Sequence, residues 1–345
     1  MKHVFFVSSH TSFLTAVGAV EYLNLNHKDI IFFCARNYKN SLFKVAWSYY
    51  DISSVFAKYT THEIWRNRKK RDDYLKCVDQ AINEKIGEPF NFYCCHYAHP
   101  FFQMVYTHPL CVEGAYIQEG GVPFKDTYVT VVSPAKKIFI WCVNHLYLRT
   151  DRCHYPLVWY YPGFLKKQKN VHSFAISDSF FKYLPSENHI IKWPHVKVDI
   201  DIKDNSSIFI FDGFVYNTFC EKEYYLEKCE RLITEENRLN NYVRFHPAQT
   251  EDEKHYILNI FKKLNVNVEV MDSSVPFEWI LLSCKKHLNV CGFGSSLLFF
   301  AKDFGHNVVC HDRWLEDSPH YRKYKKDCGF MWFSETYSNE ICANK

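Results

Sequence analysis

Short apolar runs alternate with amphipathic stretches along this chain, and midway the alternation stops and starts again. HVFFVSS at 3–9 reads as a buried strand and TSFLTAVGAVEYL at 11–23 as a helix. DIIFFCAR at 29–36, SVFAKY at 54–59, FNFYCCHY at 90–97, AYIQ at 115–118 and SFAIS at 173–177 read as further strands. Strands without a polar face must be covered on both sides. Strands separated by helices join most simply as parallel neighbours. The stretch at 185–206 is polar, holds two prolines and reads as a linker. SIFIFDG at 207–213 then opens a new series. It continues with a helix at 220–239, the strand NYVRFHP at 241–247 and a helix at 250–264. VNVEVMD at 266–272 is the next strand, and Pro276 opens a further helix. The strand HLNVCGFG, the helix SSLLFFAKDF and the strand HNVVCHD close the series.

The expectation is therefore two α/β domains, 1–195 and 206–345, each a doubly wound Rossmann-like unit. A chain of 345 residues suits two domains. Two such units in tandem suggest the GT-B architecture, and ligands of open parallel sheets bind beyond the carboxyl ends of the strands. A site in the cleft between the two domains is expected on that ground.

Composition excludes several alternatives. Hydrophobic residues at 47% and charged residues at 23% describe a globular chain, neither disordered nor coiled coil. A net charge of +4 gives no uniformly basic surface, so no nucleic-acid partner is expected. One dense basic cluster, Arg66, Arg68, Lys69, Lys70 and Arg71 beside Trp65, reads first as a solvated helix start and second as a contact for an anionic membrane or acidic glycan. The 14 cysteines include no C-x-x-C pair and fall mostly in apolar stretches, as reduced buried thiols do. The start MKHVFFVSSHTSF has no cleavable apolar region, and no apolar run reaches about 18 residues. A cytoplasmic protein is expected, with room for peripheral contact at an inner membrane.

Three short motifs follow predicted strands. Gln118-Glu119-Gly120-Gly121 follows AYI, where a carboxylate can project into a cleft and glycines admit a sugar. His246-Pro247 follows YVRF. Gly292-Phe293-Gly294-Ser295-Ser296 reads as strand, turn and helix start, where backbone N–H groups and two hydroxyls make a phosphate site. Each also has a purely structural explanation, as a surface turn or a helix cap. Further His-Pro pairs occur at His99-Pro100 and His108-Pro109.

The order of these motifs resembles the bacterial sialyltransferases of GT-B fold, including the lipooligosaccharide sialyltransferases and the capsular polysialyltransferases. Those families carry an acidic-acidic-glycine motif, then His-Pro, then Ser-Ser or Ser-Thr. The start FFVSSHTSFLTAV, SFAISDSFF at 173–181 and VPFEWILLS look similar too. One departure is Gln118, in place of the first acidic residue.

The resemblance implies an inverting transfer of sialic acid from CMP-sialic acid to a hydroxyl of a bacterial surface glycan. It implies Glu119 as general base, with Glu113 as a second candidate, and His246, Gly294, Ser295 and Ser296 around the donor phosphate. Glu278 is a candidate for the ribose or cytosine, or else a carboxylate at a helix start. His10, Thr11 and Ser12 fall in an acceptor-side loop, where Thr11 or Ser12 could equally cap the helix. No cofactor is implied, since CMP-sialic acid is a substrate, and a single phosphate does not demand a divalent ion. Rival readings are a GT-B transferase for another nucleotide sugar such as CMP-Kdo, a metallohydrolase suggested by 18 His and 14 Cys, and a non-catalytic glycan-binding protein. Metal-ligand spacing is missing for the metallohydrolase. Acceptor, linkage and oligomeric state stay open.

Overall fold

The computed structural model describes residues 1–36, 38, 47–121, 133–148, 150, 152–155, 170–182, 184, 186–194, 201–215, 217–246, 249–272, 275–327 and 332–337. They form two compact units, the first ending at Pro194; Gly121 groups with the second.

The first unit begins with β1 (Lys2–Val7), α1 (His10–Tyr22), β2 (Ile30–Cys34) and β3 (Ser48–Asp51). Three helices follow: α2 (Ser53–Phe56), α3 (Thr61–Arg66) and α4 (Arg68–Lys85). Then come β4 (Phe90–Cys94), α5 (Pro100–Tyr106), β5 (Cys111–Ile117), α6 (Pro134–Cys142), β6 (His172–Ala175) and β7 (Glu187–Ile190). All seven strands are parallel, in the order β3-β2-β1-β4-β5-β6-β7. Successive side chains of β1 point to opposite faces. Val4 and Phe6 join one buried core with Phe33 and Phe92, and Phe5 and Val7 join another with Phe13 and Phe32. The sheet is covered on both sides, as its apolar strands demand.

The second unit contains β8 (Ser206–Phe211), α7 (Lys222–Glu236), β9 (Asn240–Phe245), α8 (Glu251–Lys263) and β10 (Glu269–Val270). It continues with α9 (Phe277–Ser283), β11 (Asn289–Gly292), α10 (Ser296–Asp303) and β12 (Asn307–Cys310). Its sheet is again wholly parallel, in the order β10-β9-β8-β11-β12. The chain starts in the middle, builds outward to β10, and crosses to the other side of β8 through β11. That crossing is the switch point where such sheets bind ligands.

Three expectations are corrected. SVFAKY is not a strand: Ser53–Phe56 form a helix, opened by the Asp51 carboxylate accepting from Ser53 N–H at 2.8 Å. The polar segment at 185–206 is not all linker, because Glu187–Ile190 form edge strand β7. The basic cluster is a solvated helix start only in part, with Arg66, Arg68 and Lys69 exposed where α4 begins. Arg71 is buried and donates to the Ile64 and Leu148 carbonyls, Lys70 pairs with Glu63, and Arg68 lies 3.8 Å from Asp72.

Candidate active site

The donor-side candidates converge on one sheet end. β9, β8 and β11 lie side by side, and Phe211 pairs with Phe245 and Ile210 with Gly292. The residues that follow these strands therefore emerge together: Asp212 and Gly213, His246, and the turn Phe293-Gly294-Ser295. Gly292 must be glycine, because a Cβ there would meet the Ile210 carbonyl oxygen at 2.7 Å.

His246 is exposed to solvent and anchored by its backbone N–H, which reaches Gln249 Oε1 at 2.8 Å and the Phe211 carbonyl at 3.1 Å. Its imidazole lies beside Gly213, whose Cβ would come within 3.1 Å of Nδ1. Packing around the ring holds its pKa below the ordinary value. Pro247 lies outside the described residues. The other His-Pro pair at His99 is a helix start: His99 accepts from Phe101 N–H at 3.2 Å, and Pro100 opens α5.

Ser295 is the N-cap of α10, with its hydroxyl accepting from Leu297 N–H at 3.4 Å, and Ser296 is the first helical residue. The capping explanation is thus correct for Ser295, and the helix start still presents N–H groups to the same sheet end. Asp212, which sequence reasoning missed, binds this turn. Its Oδ2 accepts from Gly294 N–H at 3.3 Å and its carboxylate also meets the Ser295 side chain. Burial pushes its pKa up to about 7 against those two bonds. The only sequence signal was a carboxylate at the end of an apolar strand, in SIFIFDG. Glu278 is half-buried in the first turn of α9 and its charge acts on Arg244, whose guanidinium donates to the Asp272 carbonyl.

The first unit carries the remaining candidates. Glu119 follows the carboxyl end of β5, is half-buried, and accepts from Ser8 Oγ at 2.5 Å. Ser8 follows the carboxyl end of β1, so the topology joins the two loops. Burial first, and the Glu119 charge second, raise the pKa of the neighbouring Cys95 thiol. Gly120 has φ of +82°, a conformation that favours glycine. Gln118 is fully buried: Oε1 accepts from Ile176 N–H and Nε2 donates to the Gly120 carbonyl, both at 2.9 Å. A carboxylate could not make that second bond. Gln118 therefore fastens the turn that holds Glu119. Glu113 lies near the amino end of β5, exposed and opposite Asn91.

The loop after β1 divides its candidates. The helix cap is Ser9, not Thr11 or Ser12. Ser9 Oγ accepts from Ser12 N–H at 3.2 Å, and Ser12 Oγ accepts from Ser9 N–H at 3.1 Å. Thr11 and Ser12 are buried, whereas His10 is half-buried with its ring 5.2 Å from Tyr38. Sequence reading also missed His96 and His99 after β4. Burial holds their pKa values down to about 3 and about 4, with the Arg36 charge contributing to both.

Residues 146–311 match the model of the alpha-2,8-polysialyltransferase family. The likeness to bacterial sialyltransferases read from the sequence therefore stands, and the chain is a glycosyltransferase. The matched segment includes Asp212, His246, Glu278, Ser295 and Ser296 but neither Glu119 nor His10. No match is found among curated proteins. Among solved structures, UDP-GlcNAc 2-epimerase from Methanocaldococcus jannaschii superposes with a TM-score of 0.50 at 10% identity, covering 100% of this chain and 93% of that one. S. aureus MnaA, in a UDP co-structure, gives 0.49 at 12% identity, covering 100% and 88%. The spinosyn rhamnosyltransferase SpnG gives 0.45 at 11%, covering 99% and 84%. The epimerase likeness speaks for the fold, and two parallel Rossmann-like units make this a GT-B chain.

Proposed function

We propose that the chain transfers sialic acid from CMP-sialic acid to a glycan hydroxyl in one inverting displacement. The observation that carries this reading is the gathering of His246, Ser295 and the start of α10 at one sheet end, inside the segment matched by the polysialyltransferase family. A helix start with capping hydroxyls suits one phosphate, and an imidazole beside it suits a leaving group that gains negative charge.

In this mechanism Glu119 takes the proton of the acceptor hydroxyl. The acceptor oxygen bonds to the anomeric carbon as the bond to the CMP phosphate oxygen breaks, and its electron pair leaves with CMP. The phosphate receives a hydrogen bond or proton from His246. The partial burial of the ring lowers the proton affinity of His246, and the charge that develops on the departing CMP phosphate raises it. Ser295, Ser296 and the Gly294 turn hold the phosphate, with Asp212 bracing the turn. Ser8 orients Glu119. The acceptor is a bacterial surface glycan approached from the His10 side, and Glu278 lies on the nucleoside side. No divalent ion is assigned to the donor. The sequence does contain one Asp-x-Asp, Asp199-Ile200-Asp201, so this assignment rests on the donor's single phosphate and not on the motif.

The test is release of free nucleotide from a panel of donors, CMP-sialic acid, CMP-Kdo and UDP-sugars, by wild type and His246→Ala. CMP-sialic acid alone should turn over, and His246→Ala should lose about 10²-fold or more in rate at an unchanged melting temperature. Wild-type turnover by a folded His246→Ala variant removes His246 from the mechanism. Turnover of CMP-Kdo alone replaces the donor.

A further inference from the structure

Strands β6 and β7, at the outer edge of the first sheet, hold a ligating group that glycosyl transfer does not use. His172 pairs with Glu187 and Phe174 with His189 across these parallel strands. With side chains alternating along a strand, His172, Glu187 and His189 fall on one face. His172 Nδ1 lies 3.0 Å from His189 Nε2 and 3.5 Å from Glu187 Oε2, and His189 Nε2 lies 3.8 Å from Glu187 Oε1. All three ligand atoms fit within 4.8 Å of one another.

These separations match a metal's needs. Bonds of about 2.1 Å to nitrogen and oxygen in a tetrahedral site put neighbouring ligand atoms about 3.4 Å apart. The observed distances bracket that value. One proton between the two imidazoles can serve only a single hydrogen bond, whereas a cation would engage both lone pairs and the carboxylate together. The far nitrogen of His189, Nδ1, is 3.2 Å from the Tyr22 hydroxyl on α1. Such a partner takes the Nδ1 proton, fixes the ring, and leaves the Nε2 lone pair for a metal. Phe174 stacks on the same ring at 5.0 Å. The Glu187 side chain is 59% exposed, which leaves a coordination position to water.

We propose that His172, Glu187 and His189 bind one divalent first-row transition ion of the zinc type. Two imidazoles and one carboxylate favour such an ion over magnesium or calcium. His172 and Glu187 open their strands and His189 lies two residues along β7, whereas Glu119 follows the carboxyl end of β5. The ion therefore acts as a clamp, fastening edge strand β7 to β6, and takes no part in glycosyl transfer.

Zinc titrated calorimetrically into the metal-free full-length chain should bind at one ion per chain and raise the melting temperature. Cobalt(II), the spectroscopic probe, should give ligand-field bands without thiolate charge transfer. Glu187→Gln changes an exposed side chain while keeping its shape, and should weaken zinc binding by about tenfold or more. His172→Ala and His189→Ala should abolish binding and the thermal shift. The proposal is overturned if wild type binds no zinc, if Glu187→Gln and His172→Ala bind it as wild type does, or if cobalt shows thiolate bands. Each readout is independent of donor turnover.

Discussion

Glu113 and Glu119 are six residues apart but occupy opposite ends of β5, because Cys111–Ile117 run extended between the two regions. Glu119 follows the carboxyl end, holds the Ser8 hydroxyl, and is set by a turn that Gln118 fastens. Replacing Glu119 by Gln keeps its shape and removes its basicity. Sialyl transfer should fall by about 10²–10⁴-fold while CMP binding persists, and Glu113→Gln should stay near wild type. The opposite result, inactive Glu113→Gln and active Glu119→Gln, would show that the acidic motif is misplaced. Asp212 makes a different prediction. Its folded pKa of about 7 lies above the ordinary carboxylate value of about 3.9. Between those values the folded chain binds more protons than the unfolded one. The stability from its neutral form is complete below about pH 4 and lost as pH rises through about 7. An asparagine side chain at this position carries no such titration. Asp212→Asn should therefore gain stability relative to wild type as pH rises from about 4 to about 7. Melting temperatures of both proteins measured across that range check it, and parallel curves would refute the assignment.

At the scale of elements, the start of α10 serves two ends at once. Ser295→Ala removes a cap and should cost about 1 kcal/mol of stability, whereas Ser296→Ala should cost less. Both should raise the donor KM more than they lower kcat, because phosphate is held alike in ground and transition states. Steady-state kinetics with varied CMP-sialic acid decide this, and an unchanged KM in the double variant would detach the helix start from the phosphate. The elements also show what the sequence could reveal. Central strands such as Phe90–Cys94 and Ser206–Phe211 announce themselves because burial on both faces requires continuous apolar runs. The edge strands Ser48–Asp51 and Glu187–Ile190 escaped notice because their partly exposed residues need no such run. The SVFAKY stretch misled for the complementary reason, since a short apolar run does not separate strand from helix.

At the scale of the molecule, two sheets of the same winding order rest on one alternation of strand and helix, which was legible apart from two edge strands and the helix at Ser53–Phe56. His246, Ser295 and Ser296 were legible as motifs, and adjacency of β9, β8 and β11 explains why they share a sheet end. Asp212, Ser8, His96 and His99 were not legible. Their surroundings depend on burial and, for Asp212 and Ser8, on bonds to residues far away in the sequence. The proposed base Glu119 and the proposed phosphate-binding residues His246, Ser295 and Ser296 reside on different units, and the family match covers only the latter. The most direct measurement is therefore mass analysis of products formed from CMP-sialic acid with a panel of galactosides and sialosides. An acceptor should gain sialyl residues in α linkage with wild type and gain none with Glu119→Gln. Unchanged acceptors, with another nucleotide sugar consumed in place of CMP-sialic acid, would contradict the account.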